Sequence, residues 1–401
     1  MSTVSNLSSS VRARYQSKYA EAVQRRRLYD LFAMPFDGGN KETMQRSSSA
    51  VMPFLSDMTI GTSAISETVD ITPQNLRDTT ASITPTSRGD ALQDSEKLLL
   101  EAYTDYAAKR YEVLGNNMIA SLETLCIASA LAGSNVIRSR ARASLDAGTT
   151  TDYLIDKEFY KAANMLKELG CPQIQQDGSN APVGYIAAMH PDVYVDLLGT
   201  GLIDDIAVNL DKGIWLNGAL GALNGFQLIV SPFAKVFGGA GAANTTSLGD
   251  ADTLSAAANA LAASISITTG TNAGSGRYLT IGTEETGSTF YPMNERVNHI
   301  SGTTTSVIVG SGPNGGLKYD HASGTIVKNC DSVYPVLFGG PSSLAKIYAS
   351  DVGEFGEIVG PKATGLADQF VSLAWKWYGA YAIMNQNWLV RGEYSSSLDN
   401  I

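Results

Sequence analysis

A helical pattern of about 35 residues, between positions 94 and 133, constrains the fold of this chain more than any other feature. Apolar side chains recur along it at intervals of three and four residues, which places them on one face of a helix. They are Leu98, Leu99, Tyr103, Tyr106, Tyr111, Leu114, Met118, Leu122, Ile127 and Leu131. Gly133 ends the pattern. At ~1.5 Å per residue such a helix spans about 50 Å, so the sequence predicts a long strut.

Two segments before this helix lack the apolar content to stabilise themselves. Residues 8–32 have helical spacing and end at the turn sequence MPFDGGN, residues 34–40. Residues 47–94 alternate β-branched and polar side chains, which is typical of a long two-stranded excursion. An isolated hairpin of this kind is only marginally stable in water. Both segments are therefore expected to lie on other surfaces.

The region after the strut alternates helical and strand patterns. Residues 155–170 predict an amphipathic helix, residues 182–198 a buried strand, a turn and a helix, and residues 225–232 another strand, which together favour an α/β layer. Residues 238–260 are rich in glycine and alanine and predict a loop. Short β patterns in residues 262–330 predict an inserted β subdomain, and the apolar residues 370–390 predict a return to the core.

Composition excludes several classes of protein. The chain is 44% hydrophobic and 17% charged, which fits a globular protein and not a disordered one. Its cysteines, Cys126, Cys171 and Cys330, are odd in number and widely spaced, so neither a disulfide framework nor a zinc site is predicted. The N-terminal sequence has no apolar export signal, and the run at 118–132 is too short to span a bilayer. No membrane partner is expected.

Charge is unevenly distributed over the chain. The net charge is -10, yet residues 1–30 contain six basic side chains against only Glu21 and Asp30. These candidate contact residues are Arg12, Arg14, Lys18, Arg25, Arg26 and Arg27. Such an arm could pair with the acidic face of another subunit or lie near phosphates. A solvated helix face explains it about equally well.

A search for catalytic and metal-binding patterns gives no strong candidate, so no enzyme activity, cofactor or metal is predicted. His190, His299 and His321 have no His or Cys partner at metal-ligand spacing. His190 is predicted to be structural at a strand-to-helix junction, and His321 to lie in a turn. Asp250 and Asp252 lack the further acidic residues of a calcium loop.

Three further patterns are better explained by chance or by structural roles than by catalysis or ligand binding. Ser343 and Lys346 match the SxxK pattern of penicillin-binding enzymes, but the companion KTG and SDN motifs are absent. Residues 310–316 resemble a phosphate-binding loop, yet no Lys-Ser/Thr pair follows, and a turn is predicted. The aromatic side chains near the C-terminus favour a core or a subunit interface over a ligand site. They are Trp375, Trp377, Tyr378, Tyr381 and Trp388.

The order of these parts resembles the HK97-type fold of tailed-bacteriophage major capsid proteins. Four strings are similar to the N4-like branch of that family: GYIAAMHPDV at 184–193, NGFQLIVSP at 224–232, GPKATG at 360–365 and WKWYG at 375–379. The resemblance covers about residues 50–395. It implies an α+β fold with an N-terminal arm, an extended β loop, a spine helix, peripheral and axial domains and a small β-rich insertion.

The resemblance also implies boundaries for these parts. They are the arm at 1–46, the extended loop at 47–94, the spine helix and peripheral domain at 95–180, the axial domain at 181–237, the loop and β insertion at 238–330, and the return to the axial and peripheral core at 331–401. In this family the arm and the extended loop reach across neighbouring subunits.

The implied function is structural. Hexamers and pentamers of the chain would form an icosahedral head that encloses double-stranded DNA, which the wall meets without reading its sequence. Other implied partners are a portal and separate scaffolding or decoration proteins, and the implied location is the virion, after assembly in the host cytoplasm. Two alternatives remain: a virion decoration or surface adhesion protein, favoured by the Thr/Ser/Gly-rich region, and a hydrolase using Ser343 and Lys346.

Overall fold

The computed structural model describes residues 28–35, 50–55, 58–62, 64–65, 67–68, 73–101, 106–175, 182–199, 222–223, 225–242, 251–268, 278–285, 287–301, 305–310, 315–349, 354, 356–364 and 369–400. It forms two compact units. The described residues of the first unit lie within Pro35–Ile119 and Ala345–Met384. Those of the second lie within Arg27–Met34, Ala120–Leu344 and Asn385–Ile401. Both units combine helices and strands, so the expectation of a mixed fold is confirmed.

The secondary structure follows the predicted order. The α-helices of the described residues are α1 (Glu96–Glu101), α2 (Tyr106–Leu131), α3 (Asp156–Glu168) and α4 (Pro191–Gly199). The strands up to the middle of the chain are β1 (Ala33–Pro35), β2 (Ala50–Leu55), β3 (Asp78–Ile83), β4 (Thr86–Ser95), β5 (Val136–Arg138), β6 (Ile174–Gln175), β7 (Pro182–Met189), β8 (Ala222–Leu223) and β9 (Phe226–Val230). The remaining strands are β10 (Ala251–Thr253), β11 (Ser264–Ser266), β12 (Tyr278–Ile281), β13 (Glu295–Ser301), β14 (Thr305–Val309), β15 (Ile326–Lys328), β16 (Tyr334–Gly339), β17 (Leu344–Tyr348), β18 (Glu357–Thr364), β19 (Phe370–Ile383) and β20 (Leu389–Tyr394).

The first unit is built on the long strand β19. β4 pairs antiparallel with it over ten residues, from Thr86 opposite Gly379 to Ser95 opposite Phe370. β18 and β17 also pair with β19 in the same sheet. Trp375, Trp377 and Leu373 of β19 are buried, because every second residue of a strand faces the same side of its sheet. The predicted aromatic core is therefore present here.

The strut begins later than its apolar pattern suggested. The expected start at Asp94 is wrong, because Asp94 lies in β4 opposite Val371, and α1 begins at Glu96. Asp94 instead binds the buried guanidinium of Arg110 in α2, with 2.7 Å between Oδ2 and Nε. Residues 102–105, between α1 and α2, lie outside the described residues. Leu114, Met118, Leu122 and Cys126 form a buried line at intervals of four, as the helical pattern predicts.

The second unit contains a seven-stranded mixed sheet, here called the layer. Its order is β5-β20-β16-β7-β9-β8, and β6 adds to β7. β16 and β20 are buried along their whole lengths, which is typical of strands covered on both faces. Phe159 of α3 meets Phe226 and Phe338 edge to face, with ring centroids 5.7 and 5.5 Å apart. The C-terminal strand is thus core, as predicted.

Residues 251–328 form a closed β barrel within the second unit. Its antiparallel order is β10-β15-β12-β13-β14-β11. Backbone bonds from Thr268 to Thr253 and from Ser255 to Ser266, each 2.9 Å from N to O, join the two end strands. The buried core of this barrel is its own: Leu254, Ala258, Ile265, Ile267, Leu279, Ile281, Val297, Leu317 and Val327. Closure removes the sheet edges, so the barrel satisfies its own backbone.

The glycine-rich segment before the barrel is packed. Its prediction as a loop is confirmed for residues 238–242, which form turns and bends, and is wrong for residues 251–253, which form a strand. Gly238 to Gly241 are buried, and residues 251–253 form β10. A Cβ at Gly238 would stand 2.7 Å from Thr280 Oγ1, and one at Gly241 would stand 2.8 Å from the Asp331 carbonyl oxygen. Glycine here permits close approach of barrel and layer, and its abundance does not indicate mobility.

Candidate functional site

The most distinctive surface of the first unit is the β2–β3 hairpin with the segment that joins its strands, here called the excursion (residues 50–83). β2 and β3 pair antiparallel from Ala50 opposite Ile83 to Leu55 opposite Asp78. The connection therefore leaves and returns at adjacent points. A two-stranded ribbon with no third strand in the described residues gains little stability from its own contacts.

Apolar side chains of the excursion face solvent. Ile60 is 84% exposed and Leu55 is 69% exposed. The other large apolar side chains exposed there are Val51, Met58, Ile65 and Leu76. Single exposed apolar residues are ordinary, but a concentration of them in one thin segment is typical of a surface that another molecule covers.

A reciprocal side-chain contact closes the connecting segment. The backbone nitrogen of Thr59 donates to Gln74 Oε1 at 2.9 Å, and Gln74 Nε2 donates to the Thr59 carbonyl at 3.2 Å. One side chain thus replaces a pair of ladder bonds beyond the end of β2 and β3. This contact joins the segment that follows β2 to the segment that precedes β3.

The base of the excursion is anchored. Ile83 is buried in a small cluster with Ala345 and Ile347, and the chain then enters β4 beside β19. The excursion is thus held at one end, while its apolar side chains Val51, Leu55, Met58, Ile60, Ile65 and Leu76 are exposed. We did not predict this anchor, because an alternating sequence does not distinguish the inward residue Ile83 from the polar residues around it.

The basic side chains singled out from the sequence lie outside the described residues. They are Arg12, Arg14, Lys18, Arg25, Arg26 and Arg27. The described chain begins just after them with an anchored segment. Leu28 N and Tyr29 N both donate to Oε1 of the buried Glu123, at 3.1 and 2.9 Å. Glu123, which interrupts the apolar run of α2, therefore binds the point from which the basic segment departs.

The side chain of Arg296, in the barrel, reaches the layer and forms a cluster of ion pairs and ring contacts, here called the Arg296 clamp. Its guanidinium binds Asp399 and lies 3.4 Å from Asp192 Oδ2, and it stacks on Tyr278 with 3.8 Å to the ring centroid. Tyr334 Oη lies 2.8 Å from Asp399 Oδ1 and 3.0 Å from Asp192 Oδ2. This cluster joins barrel, layer and C-terminal segment. Nothing local in the sequence marks Arg296.

The two carboxylates of this clamp differ in pKa. Burial raises the pKa of Asp399, and the charge of Arg296 offsets that only in part. Burial also acts to raise the pKa of Asp192, but the hydrogen bond to His190 and the charges of His190 and Arg296 lower it to about 2. Asp192 is therefore the carboxylate that holds its charge in acid.

A second clamp runs in the opposite direction, from layer to barrel. Lys235 follows β9, and its buried Nζ donates to the Thr289 carbonyl and lies 3.4 Å from Glu285 Oε2. The same ammonium stands 3.5 Å from the centroid of the Phe290 ring. Burial lowers the pKa of Lys235. Barrel and layer are thus fastened by charged groups contributed from both sides.

A buried carboxylate stabilises the middle of the layer. Glu393 Oε2, in β20, accepts hydrogen bonds from Arg138 Nε at 2.6 Å and from Arg142 Nε at 2.8 Å. Burial acts to raise the pKa of Glu393, but these hydrogen bonds outweigh it and the pKa lies below its usual value. The sequence carries a signal for such a site, since a charge within the apolar strand LVRGEY requires a buried partner.

The residues considered for chemistry are dispersed. His190 lies directly between β7 and α4, as predicted, and its ring contacts Tyr334. His321 is buried and bridges to Ala258, with Nε2 3.4 Å from Glu295 Oε2, so its prediction as a turn residue is wrong. Among the described residues no group of three or more potential ligands could hold a metal ion.

The SxxK pair has other roles. Ser343 is fully buried, and Lys346 Nζ binds Glu354 Oε1 at 2.5 Å. Cys126, Cys171 and Cys330 are all buried. In the described part of the chain no helix is long and apolar enough to cross a membrane.

The aromatic side chains divide between cores. Trp375, Trp377 and Tyr381 are buried in the first unit, where the rings of Trp377 and Tyr381 stack with centroids 5.7 Å apart. Trp388 packs against the layer core in the second unit. None of these rings stands out as an open ligand surface, which favours the predicted core role.

Comparison with solved structures identifies a shared fold. The structure described as "Mycobacterium phage Che8" is similar over 92% of this chain and 91% of that chain, with 7% sequence identity and a TM-score of 0.50. Lower TM-scores relate the chain to "Capsid structure of the Cyanophage P-SCSP1u" (0.49, 11% identity, 87% of this chain and 83% of that one) and "Capsid of Ralstonia phage GP4" (0.48, 9% identity, 87% and 84%). No protein-family model and no curated protein matches the chain. The chain thus shares the fold of a solved bacteriophage structure.

Proposed function

We propose that this chain is the major capsid protein of a tailed bacteriophage, with the HK97-type fold and of the N4-like branch. Copies of it assemble as hexamers and pentamers into an icosahedral head that encloses double-stranded DNA. The head is assembled in the host cytoplasm and becomes part of the virion. The fold shared with a phage structure supports this proposal, as do the sequence strings at 184–193, 224–232, 360–365 and 375–379.

The single observation that carries the proposal is the exposed apolar surface of the excursion. It is held at its base by Ile83, closed by Gln74, and lined with exposed side chains such as Ile60 and Leu55. An exposed apolar ribbon is unfavourable in an isolated chain and becomes favourable when a neighbouring copy covers it. In a shell every copy supplies one such ribbon and covers another, so a weak contact is repeated over the closed surface.

We also propose that the domains have the boundaries expected from the sequence. Residues 1–46 form the arm, 47–94 the extended loop, 95–180 the spine helix and peripheral domain, 181–237 the axial domain, 238–330 the insertion, and 331–401 the return to the core. Arg12, Arg14, Lys18, Arg25, Arg26 and Arg27 of the arm contact a neighbouring subunit or the packaged DNA. A portal and separate scaffolding or decoration proteins complete the head.

The closed barrel favours a second candidate, a decoration or surface adhesion protein. Its core, which includes Leu279 and Val297, is complete without the rest of the chain. In the capsid proposal the barrel is an addition to the shell subunit. In the alternative it is the main functional part, and the chain binds to a finished particle or to a cell and builds no shell of its own.

Purified protein distinguishes the two candidates. Sedimentation velocity and negative-stain electron microscopy, on the chain alone and co-expressed with its phage partners, are expected to reveal closed shells. A chain that stays monomeric under all these conditions, and that binds preformed heads or cells, contradicts the capsid proposal and supports the alternative.

A further inference from the structure

Three arginines bind one buried carboxylate in the layer. Glu393 accepts hydrogen bonds from Arg138 Nε at 2.6 Å and from Nε and Nη2 of Arg142, and Arg391 Nε lies 3.0 Å from Glu393 Oε1. Arg142 and Arg391 therefore reach both carboxylate oxygens without Arg138. A single carboxylate carries one negative charge, so Arg138 adds a positive charge that Glu393 does not require.

The pKa of Arg391 reflects this crowding of positive charge. Burial lowers the pKa, and the charges of Arg142 and Arg138 lower it further, while Glu393 offsets these effects only in part. Like charges held close together in a folded chain are unfavourable. An anion that binds beside the arginines would relieve the repulsion. The arrangement therefore indicates a ligand in addition to a structural ion pair.

Arg140, two residues after Arg138, makes a contact of the same kind. Its Nε lies 3.0 Å from Oδ1 of Asp152. Ser139 Oγ donates to the same oxygen at 2.8 Å, and Asp146 N donates to Asp152 Oδ2 at 3.1 Å. Asp152 thus has polar partners besides Arg140, just as the first carboxylate has partners besides Arg138. Neither buried carboxylate depends on these two arginines alone.

Arg138 and Arg140 are partly exposed, although the carboxylates that they bind are not. Their side chains are 35% and 44% exposed, whereas those of Glu393 and Asp152 are fully buried. Each arginine contacts its carboxylate through Nε, so the outer N–H groups of the guanidinium are available to an acceptor outside the described chain. The buried carboxylates hold both guanidinium groups in position before a ligand arrives.

We propose that Arg138 and Arg140 bind phosphate groups of duplex DNA. Guanidinium N–H groups form paired hydrogen bonds with phosphate oxygens, and such contacts do not depend on the base sequence. Two exposed cations separated by one residue suit a polyanion whose charges recur at short, regular intervals. The inference rests on the proposed function in its choice of partner, because a head that encloses DNA brings phosphates against its subunits. It adds a contact outside the arm.

Substitution of both arginines tests the inference. Fluorescence anisotropy measures the binding of the full-length, unassembled chain to duplex DNA over a series of salt concentrations. We expect the double variant Arg138→Gln/Arg140→Gln to fold as the wild type does and to bind about 10-fold more weakly at low salt. The slope of log affinity against log salt concentration is expected to become shallower by about 1.8, equally for two unrelated duplexes.

The matched control removes two positive charges elsewhere. Lys157 and Lys167 are exposed on α3, and Lys157→Gln/Lys167→Gln is expected to leave the slope unchanged. The arm is present in every variant, so its contribution to binding cancels in the comparison. If the double arginine variant does not fold, Arg138→Gln alone takes its place, with an expected change in slope of about 0.9.

The outcomes separate this inference from the proposed function. An unchanged slope in the folded arginine variant, an equal loss in the lysine variant, or a wild type that does not bind DNA overturns the phosphate site, and closed shells still support the capsid proposal. Normal DNA binding with impaired assembly assigns the arginines to a contact between copies and also overturns the site. A wild type that binds DNA through both arginines but never forms shells supports the site and contradicts the capsid proposal.

Discussion

The excursion and the barrel are both made of short β strands, yet they differ in how far they stabilise themselves. The barrel closes on itself and buries Leu279, Ile281 and Val297 in its own core. The excursion has two strands, an anchor at Ile83 and exposed apolar side chains along its length. Strand content alone therefore does not decide whether a β segment is self-sufficient. Closure of the sheet and the location of the apolar side chains decide it.

The attachment of the two regions differs in the same way. The excursion is anchored by apolar contacts of Ile83 within its unit. The barrel is joined to the layer by charged clamps around Arg296 and Lys235. Burying an ion pair requires well-placed partners and stabilises little by itself, but it specifies one arrangement. The barrel is thus joined to the layer by charged contacts, whereas the described apolar side chains of the excursion stay exposed.

Shortening the excursion is expected to have the largest effect. Leu55 and Asp78 are directly paired, so Asn-Gly in place of residues 56–77 closes the hairpin with a two-residue turn. We expect a soluble, folded subunit that forms no closed shells, as measured by electron microscopy and sedimentation. Insertion of Asn-Gly after residue 76, which retains the excursion, serves as a control. Loss of the subunit's cooperative unfolding in the shortened variant would assign these residues to the core instead.

Breaking the Arg296 clamp comes next. Arg296→Met leaves the buried Asp399 carboxylate without its guanidinium and is expected to reduce the free energy of unfolding of the second unit by about 3–5 kcal/mol. Urea unfolding measures this loss. Adding Asp399→Asn to the variant is expected to restore part of it, since an amide is less costly to bury than an unpaired charge. Equal losses with and without Asp399→Asn would contradict the clamp.

The same substitution in the two regions gives the sharpest contrast. Leu279→Ala, in the barrel core, is expected to destabilise by about 2–5 kcal/mol. Leu55→Ala, on the exposed face of the excursion, is expected to change the unfolding free energy by less than about 0.5 kcal/mol and to impair assembly. Chemical denaturation of unassembled protein, followed by an assembly assay, tests both. Destabilisation by both variants to the same degree would remove the distinction between the regions.

The smallest effect is expected in acid. The folded pKa of Asp192, about 2, lies below the ordinary value of 3.8, so its charge stabilises the second unit above about pH 4 and that contribution is lost as the pH falls toward 2. Asp192→Asn is expected to remove about 1–2 kcal/mol of this pH dependence. The raised pKa of Asp399 acts in the opposite direction. An acid profile that Asp192→Asn leaves unchanged would contradict this assignment.

Periodic patterns in the sequence predicted the helices and strands better than the contacts between them. The spacing of Leu114, Met118 and Leu122 predicted α2, and the β-branched runs predicted strands of the barrel, because burial of one face leaves a local record. The closure of the barrel through Thr253 and Thr268 leaves no such record, since it joins residues by backbone bonds that any sequence can form.

The environments of glycines and the partners of charged residues were the features hardest to predict from the sequence. Gly238 and Gly241 lie in the loop that the composition predicted, but composition does not reveal that they are buried and that neighbouring atoms leave no room for a Cβ. Arg296 carried no signal because its partners, Asp192 and Asp399, are about a hundred positions away in the sequence. Glu393 was readable in principle, since a carboxylate inside an apolar strand requires a buried cation. The sequence therefore does not predict polar contacts between residues that are far apart along the chain.

Hydrogen–deuterium exchange on the free chain and on assembled particles tests the central claim most directly. We predict that the amides of residues 58–76 exchange rapidly in the free chain and become protected on assembly, whereas those of β12, β13 and β15 in the barrel are protected in both states. Protection of the excursion in the free chain, or its continued rapid exchange in assembled particles, would contradict the claim that a second copy completes it.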